Sequence, residues 1–301
     1  MDKVLDFLRI NEFNKVYINE PLSKHTSFNV GGEAKVLVMP EGVQQFKQLL
    51  SYLNEHNVSY KILGKGSNTL ASDRRFDGVV IKTDGLKYYQ VDKEKIIVGA
   101  GYPLIPLSYE MAELELTGLE FVGGIPGTVG GAVYMNAGAY NMEMKDIVTQ
   151  VLILDEQGQL RWMKNEELKF RYRDSIFSKH PEWTIIEAEL TLDKGNKEEI
   201  RELLLDRKKR RLESQPLRFP CAGSTFRNFG SIHAWELVDK AGLRGYRIGG
   251  AEISKKHANF IINIGCATAE NIKDLIDQAI SKVKKQTGYE LRPEVEFFNW
   301  D

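Results

Sequence analysis

Apolar residues recur along this chain with two alternating periods. Val43, Phe46, Leu49, Leu50 and Leu53 fall at helical spacing and predict an amphipathic helix over residues 41–56. Tyr60 to Leu63 then reads as a short strand that runs into Gly64-Lys65-Gly66-Ser67-Asn68. Val79 to Lys82 and Ile96 to Gly99 read as two more strands, and Leu104 to Leu116 as a helix. Residues 147–155 and 159–163 form a hairpin around Glu156-Gln157-Gly158, and Trp183 to Leu192 is another alternating strand. A charged helix is expected from Lys197 to Leu212, stopped near Gln215-Pro216. Beyond it come a helix at 232–240, a strand at 258–264 and a long helix. That helix buries Ile272, Leu275, Ile276, Ala279, Ile280 and Val283, with Thr268 as N-cap. A strand from Pro293 to Phe298 closes the chain.

No repeat or low-complexity tract interrupts this pattern. With 301 residues the chain is long enough for two or three domains, and the proline-stopped helix near 197–212 marks the expected main boundary. Forty-one basic residues face forty-two acidic ones, so a net charge of −1 gives no reason to expect a nucleic acid or an anionic membrane as main partner. Any phosphate binding must be local. Cys221 and Cys266 are the two cysteines and read as reduced thiols of a cytoplasmic protein. The opening MDKVLDFLRINEF lacks a basic start and a long apolar stretch, and is not expected to be a signal peptide. No segment approaches the roughly 20 apolar residues of a membrane span. His25 and His257 have no second ligand at metal spacing, so no metal is expected.

Two glycine-rich segments carry the first chemical signal. Gly64 to Asn68 follows a strand. Its glycines leave backbone N–H groups open to an anion, and Ser67 and Asn68 add side-chain donors. It has neither P-loop spacing nor the dinucleotide fingerprint, since Thr69 stands where a third glycine would fall. Taken alone it reads as a tight structural turn. Gly123-Gly124-Ile125-Pro126-Gly127-Thr128-Val129-Gly130-Gly131-Ala132 has five glycines in ten residues. So many positions without Cβ suggest backbone laid against a large flat ligand or a diphosphate, and residues 123–138 are taken as a functional loop. A structural omega loop is the alternative.

Several segments together resemble one family: KHTSFNVGG (24–32), LGKGSN (63–68), GLEFVGGIPGTVGGAVYMNAGAY (118–140), YRDSIF (172–177), CAGSTFRN (221–228), GLRGYRIGGAEISKKHANFIIN (242–263) and RPEVEFF (292–298). They occur in order over almost the whole chain and are similar to the UDP-N-acetylenolpyruvoylglucosamine reductases of peptidoglycan precursor synthesis. The resemblance implies an α+β fold: a two-part FAD-binding domain of the vanillyl-alcohol-oxidase type over 30–194, after an N-terminal segment 1–29, and a C-terminal α/β substrate domain over 195–301. It implies non-covalent FAD held by Gly64, Lys65, Gly66, Ser67, Asn68, Gly123, Gly124, Ile125, Pro126, Gly127 and Gly131. NADPH would be the hydride donor and an enolpyruvyl UDP-sugar the substrate. The direct passage from YRDSIF to AGS matches the shorter subtype, which lacks an inserted tyrosine-bearing loop.

By the same resemblance the catalytic residues are Arg173, Ser224 and Glu294. Arg173 would stabilise an enolate, Ser224 would protonate the carbanion, and Glu294 would manage charge or protons beside Arg173. Without the resemblance, Arg173 reads as an ordinary ion-pair partner of Asp174 or another acid, Ser224 as a turn residue and Glu294 as a strand-edge carboxylate. Tyr172, Asn228 and Lys256 are the implied substrate contacts, Lys256 at the diphosphate. The basic run Arg207 to Arg211 reads as a solvated helix face, since no aromatics interleave it. The rival readings are another flavoenzyme of the same fold, oxidising an alcohol or hydroxy acid, and a UDP-sugar-binding protein without flavin.

Overall fold

Among the described residues apolar side chains collect into two large cores and a smaller cluster, and the chain forms two compact units. The computed structural model describes residues 1–300. The first unit comprises Met1–Asn19, Lys35–Lys65 and Asp77–Lys208; the second comprises Glu20–Ala34, Gly66–Phe76 and Lys209–Asp301. These units differ from the spans expected from sequence. Segments 20–34 and 66–76 belong with the C-terminal part, and the change of unit falls at 208/209 rather than 194/195.

Helices α1 (Asp2–Ile10) and α2 (Val43–Glu55) belong to the first unit. Helix α2 lies where the apolar spacing puts it and buries Phe46, Leu49, Leu50 and Leu53. Its four-stranded sheet runs in the order Val16–Pro21, Glu33–Val38, Phe76–Lys82, Tyr60–Leu63. The last two strands are parallel, with Leu63 opposite Lys82, so both leave the sheet at the same end. A five-stranded antiparallel sheet runs in the order Leu160–Lys164, Val148–Leu154, Thr184–Thr191, Lys95–Gly99, Tyr89–Asp92. It contains the expected hairpin.

Two further elements depart from the sequence reading. Helix α3 (Leu104–Glu113) ends before Leu116, because Leu116–Thr117 pairs with Asp193–Lys194 as a strand. The stretch 123–138 is not all loop. Val129–Tyr134 forms a short helix, α4, whose N-cap Thr128 accepts a hydrogen bond from the Gly131 N–H. Local glycine content argues against a helix, but Val129 and Val133 are fully buried and fix it by packing.

Helix α5 (Lys197–Ser214) is continuous across the change of unit. Ile200 and Leu204 pack with Ala112 at its start, while near its end the Leu212 carbonyl accepts from the Lys256 ammonium. The second unit holds α6 (Ala234–Lys240) and α7 (Ala269–Thr287). It also holds an antiparallel sheet of Arg247–Ile248, Ala251–Ile253 and Ile261–Asn263, and a parallel pair of Thr69–Ala71 with Glu296–Phe298. Helix α7 starts as expected at Thr268, which forms a capping box with Asn271, and buries Ile272, Leu275, Ile276, Ala279 and Val283. Among the described residues, no helix is long and apolar enough to cross a membrane.

Candidate functional site

In the first unit the two glycine segments meet. A Cβ on Gly64 would stand 2.7 Å from the Thr128 Oγ1, closer than real Cβ contacts. Gly64 therefore leaves the strand Tyr60–Leu63 directly beneath the start of α4. The Gly64 carbonyl accepts from the Lys82 ammonium, which lies on the neighbouring strand and is 5% exposed. The glycine segment around Thr128 is itself pinned by backbone bonds. Leu104 N–H donates to Gly127 O at 3.0 Å, Val129 N–H to Tyr102 O at 2.9 Å and Gly130 N–H to Ala100 O at 2.8 Å.

The glycines differ in what they face. A Cβ on Gly123 would strike Leu204 Cδ2 at 2.3 Å and one on Gly130 would meet Ala100 Cβ at 2.8 Å, so packing accounts for both. Gly131 is exposed, and the nearest protein atom to its Cβ position is Thr128 Oγ1 at 3.6 Å, an ordinary contact. A helical glycine costs about 1 kcal/mol relative to alanine, and no protein neighbour of Gly131 explains it. The open face leaves room beside α4 for a bulky group such as a flavin nucleotide. Gly124, Ile125 and Gly127 are half-buried and Pro126 is exposed; Lys65 is exposed beside Gly64.

The turn that carries Tyr172 and Arg173 is in the same unit. Arg171 and Asp174 exchange backbone hydrogen bonds, N–H to O at 2.9 Å and 3.1 Å, which puts Tyr172 and Arg173 at the tip. Arg173 has φ 53°, a left-handed conformation that costs a non-glycine residue roughly 1–2 kcal/mol. Strain of this kind persists where surroundings impose it, and such residues cluster at functional sites. Here the guanidinium donates to Gly138 O at 2.8 Å and lies over the Tyr172 ring, 5.0 Å from its centroid.

Asn136 holds this turn, and the sequence did not single it out. It is fully buried, and its amide donates to Arg171 O and to Glu143 Oε2, both at 3.0 Å. Its carbonyl oxygen accepts from the Lys145 N–H at 2.9 Å. Ser175 adds a bond from its hydroxyl to Tyr134 O at 2.6 Å. An asparagine in a glycine-rich stretch reads as a surface turn, so nothing in the sequence marks it as a buried hub.

In the second unit Ser224 and Glu294 are brought together through Thr225. Glu294 N–H donates to Thr225 O at 2.8 Å, and the Asn68 amide donates to Glu294 O at 2.9 Å. Asn259 fixes the serine's strand from the other side. Its carbonyl accepts from Thr225 N–H at 2.7 Å, and its buried side chain bonds both the N–H and the O of Phe226 at 2.9 Å. Gly66 has φ +67°, and a Cβ there would fall 2.0 Å from His25 O, so only glycine fits. Ser67 is half-buried.

The remaining expected residues bond to helix ends. Asn228 accepts the Ala234 N–H at 3.0 Å, as a cap at the start of α6. The Lys256 ammonium donates to Leu212 O, one of the carbonyls left open at the end of α5. His257 accepts from the Asn259 N–H at 3.2 Å and packs edge-on against Phe260. Burial pushes its pKa below the ordinary histidine value, and Arg244 adds to the shift. Among the described residues no His, Cys, Asp and Glu cluster could hold a metal.

The basic run on α5 is not a uniformly solvated face. Lys208 and Lys209 are exposed, but Arg207 lies over the Tyr140 ring at 4.5 Å and one of its terminal nitrogens is buried. Tyr140 is 67 residues away in sequence, which is why the run read as free of aromatics.

Comparison with known proteins identifies relatives over almost the whole chain. Residues 34–164 match the model of an FAD binding domain, and residues 215–298 that of the UDP-N-acetylenolpyruvoylglucosamine reductase C-terminal domain. The chain is 42% identical over 297 residues to the UDP-N-acetylenolpyruvoylglucosamine reductase of Bacillus subtilis, covering 98% of each. It is 43% identical over 295 residues to that of Caldanaerobacter subterraneus, covering 98% of this chain and 96% of the relative. The crystal structure of UDP-N-acetylenolpyruvylglucosamine reductase from Thermus caldophilus superposes with a TM-score of 0.80 at 33% identity, over 94% of this chain and 98% of that one. A structure of berberine bridge enzyme, at 15% identity and a TM-score of 0.51, covers 65% of this chain and 44% of its own, and shares the fold alone. With its α+β architecture, its FAD-domain match and relatives of this identity across nearly its full length, the chain belongs to the UDP-N-acetylenolpyruvoylglucosamine reductase family.

Proposed function

We propose that this protein reduces the enolpyruvyl group of UDP-N-acetylglucosamine enolpyruvate to the lactyl ether of UDP-N-acetylmuramate, with NADPH as donor, in peptidoglycan precursor synthesis. The observation that carries the proposal is the backbone linkage of Ser224 and Glu294 through Thr225, in a chain 42% identical to a reductase of that name. The reading gives residues 30–194 to FAD and 195–301 to the UDP-sugar, in line with the two domain models that match there. FAD, when bound, receives hydride from NADPH and passes it to the substrate. Gly64, Lys65, Gly66, Ser67, Asn68, Gly123, Gly124, Ile125, Pro126, Gly127 and Gly131 are the residues assigned to it, with Gly131 supported by its open face.

Hydride addition at the terminal carbon of the enolpyruvyl group leaves charge on the adjacent carbon, spread onto its carboxylate. The permanent charge and planar fork of Arg173 suit that carboxylate as it becomes an enolate. The Ser224 hydroxyl protonates the carbon. A serine is a weak acid, but an enolate carbon is a strong enough base when the geometry is fixed. The bonds on either side of Thr225 support such fixation. Glu294 manages charge and protons at the same step. Tyr172, Asn228 and Lys256 are assigned to the substrate. For the last two the assignment requires that side chains now bonded to Ala234 N–H and Leu212 O also reach the ligand. Free Cys221 and Cys266 are in keeping with a cytoplasmic location.

The test uses the purified protein under anaerobic conditions. It should be yellow, bleach with NADPH, and regain colour on addition of the enolpyruvyl UDP-sugar with formation of the lactyl product. Colourless protein that takes up no FAD, or reduced protein that the enolpyruvyl UDP-sugar does not reoxidise, would overturn the proposal.

A further inference from the structure

Lys82 is a buried cation that the reaction does not use. It sits at the end of the strand Phe76–Lys82, beside Leu63 on the parallel strand that leads into Gly64. Its side chain is only 6% exposed, and its ammonium donates to the Gly64 carbonyl. The other partner among the described residues is Asp84, whose Oδ2 lies 3.5 Å away and whose side chain is 59% exposed. An ammonium has three donors, and burying one is costly unless it is well partnered. Burial indeed pushes its pKa down from lysine's ordinary value, against the opposing pull of Asp84. A hydrophobic residue would fill this strand position at less cost, as Val79, Val80 and Ile81 do beside it.

What the lysine gains is control of one peptide plane. A trans peptide is planar, and its C=O and the following N–H point in opposite directions. Holding Gly64 O toward Lys82 therefore turns the Lys65 N–H away from it. The cation also puts fixed positive charge behind the turn.

We infer that Lys82 is a positioning residue for the cofactor's diphosphate: by bonding Gly64 O it aims the Lys65 backbone N–H at a phosphate oxygen and sets a positive field behind the loop. This rests on the FAD reading above. It predicts a specific defect. Removing the ammonium weakens the hold on the phosphates and leaves the flavin ring's surroundings intact.

The test compares holoprotein of the wild type, Lys82→Met and Lys82→Arg. FAD release on dilution is followed by the recovery of free-flavin fluorescence, the diphosphate by 31P NMR, and the ring by its visible absorption band. For Lys82→Met we expect a dissociation constant at least tenfold higher and displaced 31P resonances, with an unchanged visible band. Lys82→Arg should return the dissociation constant to within about threefold of wild type. Unchanged release and unchanged 31P resonances in Lys82→Met would overturn the inference, as would a visible band that changes together with the phosphorus signals. Should Lys82→Met not fold, Lys82→Arg alone decides: its longer donor must displace the 31P resonances with the visible band intact, and wild-type resonances would overturn the inference. Wild-type protein without flavin would count against the FAD reading instead.

Discussion

Gly64 lies so close beneath Thr128 that a Cβ on the glycine would stand 2.7 Å from the threonine hydroxyl oxygen. The same hydroxyl accepts the Gly131 N–H that opens α4. One atom thus limits the size of the residue at 64 and caps the helix. Gly64→Ala should cost about 1–3 kcal/mol, the range for overpacking, measured by urea unfolding. Thr128→Ala alone should cost about 1 kcal/mol for the lost cap. In the double variant the clash is gone, so Gly64→Ala should add less than about 0.5 kcal/mol to Thr128→Ala. Simple additivity would show that the two residues do not press on each other.

The basic run on α5 should divide sharply. Lys208→Gln and Lys209→Gln remove exposed charges and should leave stability within about 0.5 kcal/mol. Arg207→Gln removes a guanidinium stacked on Tyr140 and should cost roughly 1–2 kcal/mol, as for a partly desolvated cation–π pair. Thermal unfolding of the three single variants checks this. Equal effects would show that Arg207 is as free as its neighbours.

His257 should give the second unit an acid-sensitive element. Burial holds its folded pKa below the unfolded value of about 6.5, with a smaller contribution from Arg244. Below pH 6.5 the unfolded chain therefore binds a proton that the folded chain does not. Stability is fully present above that pH and falls as the pH drops toward the folded pKa. Protonation at Nδ1 would also break the bond from the Asn259 N–H, next to the segment that fixes Thr225 and Phe226. In urea titrations between pH 7.5 and 5, wild type should lose stability more steeply than His257→Gln. Parallel pH dependence would sink the assignment.

Ser224→Ala separates the two halves of the proposed reaction. A proton donor to the substrate carbon has no part in flavin reduction. Stopped-flow bleaching by NADPH should stay close to wild type, while reoxidation by the enolpyruvyl UDP-sugar should slow by on the order of 10²–10⁴. Wild-type reoxidation would reject Ser224 as donor and favour Glu294 or a bound water. Loss of FAD from the variant would make the serine structural.

The order of elements was legible along the chain because each one buries its own stripe. Helix α2 through Phe46, Leu49, Leu50 and Leu53, and α7 behind its Thr268 cap, follow from residues within one element. The family motifs were legible for a related reason: a Cβ would meet Thr128 Oγ1 at residue 64 and the His25 carbonyl at residue 66, so the identity of each glycine is constrained. The limits of α3 and the helix inside 123–138 were not legible. The first depends on Asp193–Lys194 arriving to pair with Leu116–Thr117, and the second on buried Val129 and Val133 outweighing the nearby glycines.

The site residues divide along the same line. Sequence by itself proposed which side chains carry chemistry, and did so through the family motifs, because Arg173, Ser224 and Glu294 taken one at a time have ordinary structural roles. Tertiary structure alone decided which residues hold them. Asn136 beneath Arg171, Asn259 beside Thr225, Tyr140 under Arg207 and Lys82 behind Gly64 act over 35, 34, 67 and 18 residues of chain. A hydrogen bond or a stacked ring depends on distance in space, and local sequence periodicity carries no record of which distant segment will arrive to supply it.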